Sequence, residues 1–145
     1  MNTLSAKFAE IYALASVKEL NAWMRRWLAD WVKISEGQSG RKSNRLVQEV
    51  KQYVRDHYDQ EITLKEIADR LYVNRNYLSQ LFKRVTGESF VTYLNKFRIE
   101  KAKERMREKH YLISEISEMV GYQNPTYFSQ VFKSVTGKSP SEFYK

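Results

Sequence analysis

One segment, written twice, constrains this chain more than any other feature. Residues 77–87 read YLSQLFKRVTG and residues 127–137 read YFSQVFKSVTG, identical at Tyr77/Tyr127, Ser79/Ser129, Gln80/Gln130, Phe82/Phe132, Lys83/Lys133, Val85/Val135, Thr86/Thr136 and Gly87/Gly137. Eight identities in eleven positions are too many for two amphipathic helices that share only a period. Upstream, the offset shortens from fifty to forty-nine, pairing Leu64 with Ile113, Glu66 with Glu115 and Ile67 with Ile116; the second copy carries one extra residue around Gly121-Tyr122. Each copy is expected to be a short helix, a tight turn and a longer helix, so the fold must house two equivalent units.

Helix start and stop signals delimit these units. Thr63-Leu64-Lys65-Glu66 has the form of a capping box, in which the threonine oxygen and the glutamate satisfy free amides at a helix start. It opens a short helix with Leu64, Ile67, Ala68 and Leu71 inward. Asn74 precedes the first long segment, and Gly87 suits the left-handed residue that closes it. From Ser89 to about Lys109 there is no Gly or Pro, and Lys, Arg, Glu and Ala abound, which predicts one long joining helix. At about 21 residues it would extend about 31 Å, near the roughly 34 Å between major-groove segments on one side of B-DNA. The second unit repeats the order. Ser114 is expected to open a short helix with Ile116, Met119 and Val120 inward, and Asn124-Pro125 places a cap residue before a first-turn proline. Ser139-Pro140-Ser141-Glu142 is a further capping box. Ahead of both units, Leu46, Val50, Tyr53, Val54 and His57 recur at helical spacing over residues 45–57.

Two stripes separate on each long helix. Leu78, Leu81, Phe82 and Val85 share one face at i, i+3, i+4 and i+7, whereas Asn76, Ser79, Gln80 and Lys83 share another. The second copy sets Phe128, Val131, Phe132 and Val135 against Thr126, Ser129, Gln130 and Lys133. Amides and hydroxyls on an exposed helix suit base edges in a major groove, glutamine or asparagine pairing with adenine, while lysine reaches guanine or phosphate. A helix-turn-helix unit presents its second helix in this manner. Any surface helix also has a solvated polar face, so one copy would carry little weight; two copies on a basic joining helix favour DNA. Along that joining helix, Lys96, Arg98, Lys101, Lys103, Arg105, Arg107 and Lys109 alternate with Glu100, Glu104 and Glu108, a pattern equally suited to a salt-bridged solvent face.

Charge agrees with the location of these units. The chain carries 25 Lys and Arg against 17 Asp and Glu, a formal +8, and residues 41–145 hold seven of that excess, which attracts polyanions. With no cysteine, disulfides, thiolate zinc sites and thiol nucleophiles are excluded. The apolar runs are too short to span a bilayer, and Lys7 and Glu10 interrupt the region a signal peptide would need. The chain is expected to be cytoplasmic and without membrane contact.

Residues 35–44, SEGQSGRKSN, interrupt the apolar periodicity and read as a linker, with residues 37–44 at its centre. Ahead of it, Ser16-Val17-Lys18-Glu19 is another capping box, so one helix is expected to end near Ala15 and another to begin at Val17. Val17, Leu20, Met24, Trp27, Trp31 and Ile34 form an apolar stripe along the second, widened by Trp23 and Leu28. Leu20, Met24, Trp27 and Trp31 are the candidate dimer or domain interface; the neighbouring Arg25 and Arg26 also permit an interfacial membrane helix, but packing is the ordinary explanation for such a face.

Together, ITLKEIADRLYVNRNYLSQLFKRVTGESFVTYLNKFRIEKA and ISEISEMVGYQNPTYFSQVFKSVTGKSPSEFYK resemble the AraC/XylS family of transcription regulators over about residues 45–145. Both half-motifs, the R-I-E-K-A run and the G-Y-x-N-P-x-Y-F-S signature carry the likeness. It implies an all-α, seven-helix domain with two tandem helix-turn-helix units, about 63–87 and about 114–137, joined by a long helix and preceded here by a short helical segment at residues 1–36. Carried over by position, base-facing residues are Arg75, Asn76, Ser79 and Gln80 in the first unit and Pro125, Thr126, Ser129 and Gln130 in the second. Asn74, Lys83, Asn124 and Lys133 complete the candidate DNA-binding set. The KELNAWMRRWLADW stretch is similar to the helical connector of response regulators of the YesN type. Forty residues are too few for a sugar-binding barrel. The partners implied are double-stranded DNA, RNA polymerase and a second copy through the N-terminal helices.

No catalytic constellation accompanies these motifs. His57 and His110 lack a second ligand nearby, Asp56, Asp59 and Glu61 lack a nucleophile or base, and no phosphate-binding Gly-rich loop is present. The chain is expected to be non-enzymatic, with no cofactor and no metal. The rival to a DNA-binding regulator is a basic helical module for RNA or an acidic protein partner, without sequence preference.

Overall fold

The computed structural model describes residues 16–145, except the side chains of residues 33–36 and 38. The helix expected to end near Ala15 lies outside the described residues, as does the side chain of Ile34. Every regular element among the described residues is helical. In chain order these are α1 (Val17–His57), α2 (Leu64–Arg70), α3 (Arg75–Thr86), α4 (Phe90–Glu108), α5 (Ile113–Met119), α6 (Pro125–Thr136) and α7 (Pro140–Tyr144). The chain divides into two compact units, Met1–Lys42 and Ser43–Lys145.

Helix α1 runs without a break through residues 37–44, the stretch read from the sequence as a linker. Gly37 and Gly40 each cost about 1 kcal/mol relative to alanine in a helix. No proline removes a hydrogen bond there, however, and Gln38, Arg41 and Lys42 are good helix formers, so composition weakens the helix without ending it. The helix opens as predicted: Ser16 Oγ accepts from Glu19 N at 3.3 Å.

In the unit Met1–Lys42 the apolar stripe is largely open. Val17, Met24, Trp27, Leu28, Trp31 and Val32 are exposed, Leu20 is half-buried, and the Trp23 and Trp27 rings stack 6.3 Å apart.

In the unit Ser43–Lys145 the joining helix α4 is a spine shared by two cores. The first gathers Leu46, Val47, Val50 and Val54 of α1, Ile67 and Ala68 of α2, Leu78, Leu81 and Phe82 of α3, and Phe90 and Leu94 from the start of α4. In the second, Ile99, Ala102 and Met106 from the rest of α4 pack with Ile116, Val120, Tyr122, Phe128, Val131 and Phe132. Each fully buried Leu, Ile or Phe contributes about 1.5–3 kcal/mol, so each helix-turn-helix unit has its own apolar anchor. Tyr58 packs against both cores.

The caps explain where the helices begin and end. Thr63 Oγ1 accepts from Glu66 N at 3.2 Å while Glu66 Oε2 accepts from Thr63 N at 2.9 Å, completing the predicted capping box. Ser89 Oγ accepts from Thr92 N at 3.2 Å, and Lys109 closes α4 in the left-handed region at φ 54°. Helix α5 starts earlier than Ser114: Leu112 occupies the cap position that Thr63 holds in the first copy, and Glu115 Oε2 accepts from Leu112 N at 2.7 Å. Ser114 is therefore not the cap.

The two turns locate the extra residue. Tyr72 and Gly121 are equivalent, both with positive φ, at 55° and 94°. Val73 N donates to Ala68 O at 3.0 Å and Tyr122 N to Ser117 O at 2.9 Å, still in the same register. The caps Asn74 and Asn124 are one step out of it, so Gln123 is the insertion.

Candidate nucleic-acid interface

Each recognition helix is held at both ends by its own sequence. Asn74 Oδ1 accepts from Asn76 N at 2.8 Å and Tyr77 N at 3.1 Å; Asn124 Oδ1 accepts from Thr126 N at 2.9 Å and Tyr127 N at 3.2 Å. These bonds satisfy amides that a helix start leaves unpaired. At the far end Gly87 and Gly137 adopt φ of 82° and 80°, and their N–H groups donate to Lys83 O and Lys133 O at 2.8 Å. A threonine follows the same rule in both copies: Thr86 Oγ1 donates to Phe82 O at 2.7 Å and accepts from Glu88 N, and Thr136 Oγ1 donates to Phe132 O at 2.8 Å and accepts from Lys138 N.

Between these caps the two faces separate. Leu78, Leu81 and Phe82 are buried on α3, as are Phe128, Val131 and Phe132 on α6. On the other side Arg75, Asn76, Ser79, Gln80 and Lys83 are exposed, and so are Pro125, Thr126, Gln130 and Lys133. Ser129 is half-buried and its hydroxyl donates to Pro125 O at 3.0 Å, which leaves its oxygen lone pairs as the free hydrogen-bonding capacity. Asn74 and Asn124, predicted as DNA contacts, spend their side-chain oxygens on capping.

Val85 and Val135 correct the sequence expectation. Both were assigned to the buried ridge, and both are exposed, at 43% and 36%. Val135 instead lines an open groove of about 440 Å³ with Thr92, Asn95 and Lys96 of α4 and Gln130, Val131 and Ser134 of α6.

The cations sort into two classes. On α4, Lys101 pairs with Glu104 at 3.0 Å, Lys103 with Glu100 at 2.7 Å and Arg105 with Glu108 at 3.2 Å, while Lys96 meets Glu88 at 2.6 Å. This is the salt-bridged solvent face the alternation allows. Arg75, Lys83, Arg84 and Lys133, on the recognition helices, take part in no ion pair among the described residues. Lys133 still acts electrostatically on the Glu142 carboxylate, whereas Arg75, Lys83 and Arg84 are exposed and available to an anion.

Two residues escaped the sequence reading. Tyr77 and Tyr127 sit in the first turn of the recognition helices with 46% and 49% exposure. Their identity in both copies was the signal, masked because an aromatic on an amphipathic helix is usually assigned to the core.

A family model described as a helix-turn-helix domain matches residues 67–145. The transcriptional regulatory protein YesN of Bacillus subtilis is 47% identical over 85 residues, covering 57% of this chain and 23% of YesN. The C-terminal domain of AraT, a response regulator from Geobacillus stearothermophilus, aligns with a TM-score of 0.66 and 39% identity over 68% of this chain and 83% of that one. The DNA-binding domain of the transcriptional factor AdpA, solved with a target DNA, aligns with a TM-score of 0.64 over 68% of this chain and 88% of that one; at 21% identity it is a likeness of fold alone. The chain spans between 15% and 39% of the length of the curated relatives it matches.

Proposed function

Since this chain belongs to the AraC/XylS family of helix-turn-helix transcriptional regulators, we propose that it binds duplex DNA sequence-specifically, with α3 and α6 each reading one of two adjacent major-groove segments. One observation carries this reading: the quartets Asn76, Ser79, Gln80, Lys83 and Thr126, Ser129, Gln130, Lys133 lie opposite buried ridges in both copies. Gln80, Gln130 and Asn76 have amides suited to two-point pairing with adenine. Ser79, Ser129 and Thr126 offer adaptable hydroxyls, and Arg75, Lys83 and Lys133 reach guanine or phosphate. Asn74, Asn124 and Pro125 set the approach of the helix ends, and the phenols of Tyr77 and Tyr127 suit phosphate oxygens.

Helix α4 has 19 residues and extends about 28 Å, a length compatible with neighbouring groove segments. The likeness to response-regulator domains supports an output domain at residues 45–145, with residues 1–36 as a connector and residues 37–44 as a helical link. Leu20, Met24, Trp27 and Trp31 would serve a homodimer, with RNA polymerase the partner of a DNA-bound regulator. A cytoplasmic location accompanies a DNA target.

Selection from random duplexes tests the reading. The unchanged chain should enrich a bipartite site, and Gln80→Ala and Gln130→Ala should each relax preference in a different half, about one helical turn apart, by roughly 1–3 kcal/mol. Loss at the same base pair in both variants would defeat the tandem arrangement. No enrichment at all would favour a module without sequence preference.

A further inference from the structure

We propose that Arg98 is the positioning residue that sets the spacing between the two recognition helices, by latching the turn after α1 to the turn of the second helix-turn-helix unit. The inference rests on the two-headed DNA reading above. Arg98 is the one charged side chain buried among the described residues, at 8% exposure. No carboxylate among the described residues lies within ion-pair distance of it, although Asp59 acts on it electrostatically. Its Nε donates to Tyr58 O and its Nη2 to Gln60 O, both at 2.7 Å, so the carbonyls just past the end of α1 receive the guanidinium. That end of a helix carries partial negative charge, which suits a cation.

The other side of the guanidinium faces the second unit. Its Cζ lies 5.2 Å from the ring centroid of Tyr122, whose hydroxyl donates to Asn95 Oδ1 on α4 at 2.8 Å. Gly121 closes the junction, with φ at +94°; a Cβ there would stand 2.5 Å from Tyr58 O and 2.9 Å from Arg98 Nη2. The Tyr58 ring packs edge-on against Phe97 at 5.4 Å and touches both cores. Helices α2 and α3 have no extensive packing against α5 and α6. The two heads are therefore related through α4 and through this junction.

A bipartite site makes that relation matter, because one added base pair moves a half-site by about 3.4 Å and turns it by about a tenth of a helical turn. Loss of stability lowers affinity for every spacing alike. Loss of the latch flattens the dependence on spacing. Lysine keeps the charge of Arg98 but lacks the planar fork that spans two carbonyls, so Arg98→Lys isolates geometry from charge.

The full 145-residue chain is selected on random duplexes and then measured on a series in which base pairs are inserted or removed between the half-sites. The unchanged chain should lose about tenfold or more per base-pair change, comparable to a mismatch. Arg98→Lys should vary by less than about threefold across the series while still binding a duplex with a single half-site. An Arg98→Lys variant that keeps the original spacing ratio, whatever its absolute affinity, overturns the latch. Should thermal melting show Arg98→Lys unfolded, Arg98→Gln, whose amide keeps a donor but cannot span both carbonyls, takes its place; a flattened ratio supports the latch and an unchanged one overturns it. A chain that enriches no duplex overturns the DNA reading and the latch together, whereas a retained ratio on a bipartite site overturns the latch alone.

Discussion

At the scale of single residues, two tyrosines in equivalent turns have opposite circumstances. Tyr72 occupies the left-handed region at φ 55° with 96% of its surface exposed, so it holds a strained backbone and packs against nothing. That conformation costs an L-residue about 1–2 kcal/mol, which glycine avoids at the expense of a more flexible unfolded chain. Tyr72→Gly should therefore raise stability by about 0.5–1 kcal/mol, read as a higher urea midpoint; a lower midpoint would show that the ring has a structural partner. Tyr122 is buried, and burial, which outweighs the opposing attraction of Arg98, pushes its phenol up to about 12. An acid whose folded pKa is raised stabilises fully below its unfolded value near 10. That contribution is lost as pH climbs through the folded value. The loss is on the order of 2–3 kcal/mol, and Tyr122→Phe should remove this part of the alkaline slope. Unfolding at a series of pH values between 10 and about 12 checks it.

At the scale of elements, the copies differ where one cap was changed. Thr63 begins α2 with a reciprocal capping box, but at the same place before α5 stands Leu112, an exposed apolar residue with no oxygen to offer. Only the Glu115 half of the box remains. Leu112→Thr should restore the missing acceptor and add about 1 kcal/mol, measured as a shift in thermal midpoint together with slower amide exchange at Glu115. A shift in the other direction would mean that Leu112 covers apolar surface. Glu142 caps α7 in the same way, its carboxyl held below the usual range by hydrogen bonds from Ser139. The buried roles expected for Val85 and Val135 fail because periodicity marks a face of a helix, whereas how far that face is covered depends on what packs beside it.

At the scale of the molecule, charge is divided between structure and binding. The ion pairs along α4 are partly exposed and each contributes at most about 1 kcal/mol, while Arg75, Lys83 and Arg84 of the first recognition helix take part in no ion pair among the described residues. Binding to the selected duplex should weaken steeply with salt, and Lys83→Ala should reduce the slope of log affinity against log salt by about 1 while affecting all sequences similarly. Titration at several salt concentrations measures this. A sequence-dependent change would place Lys83 on a base instead.

The amino-acid sequence by itself determined the two units, their order, the caps at Thr63, Asn74, Ser89, Asn124 and Ser139, and which face of α3 and α6 stays polar. All of these are written in contacts within four residues along the chain. The division of α4 between two cores and the burial of Arg98 were decided by tertiary structure alone. They depend on partners such as Tyr58 and Gln60, 40 and 38 residues from Arg98, and periodicity carries no record of a meeting at that distance. On its own helix Arg98 is one cation among six, and only the carbonyls facing it distinguish it from the rest.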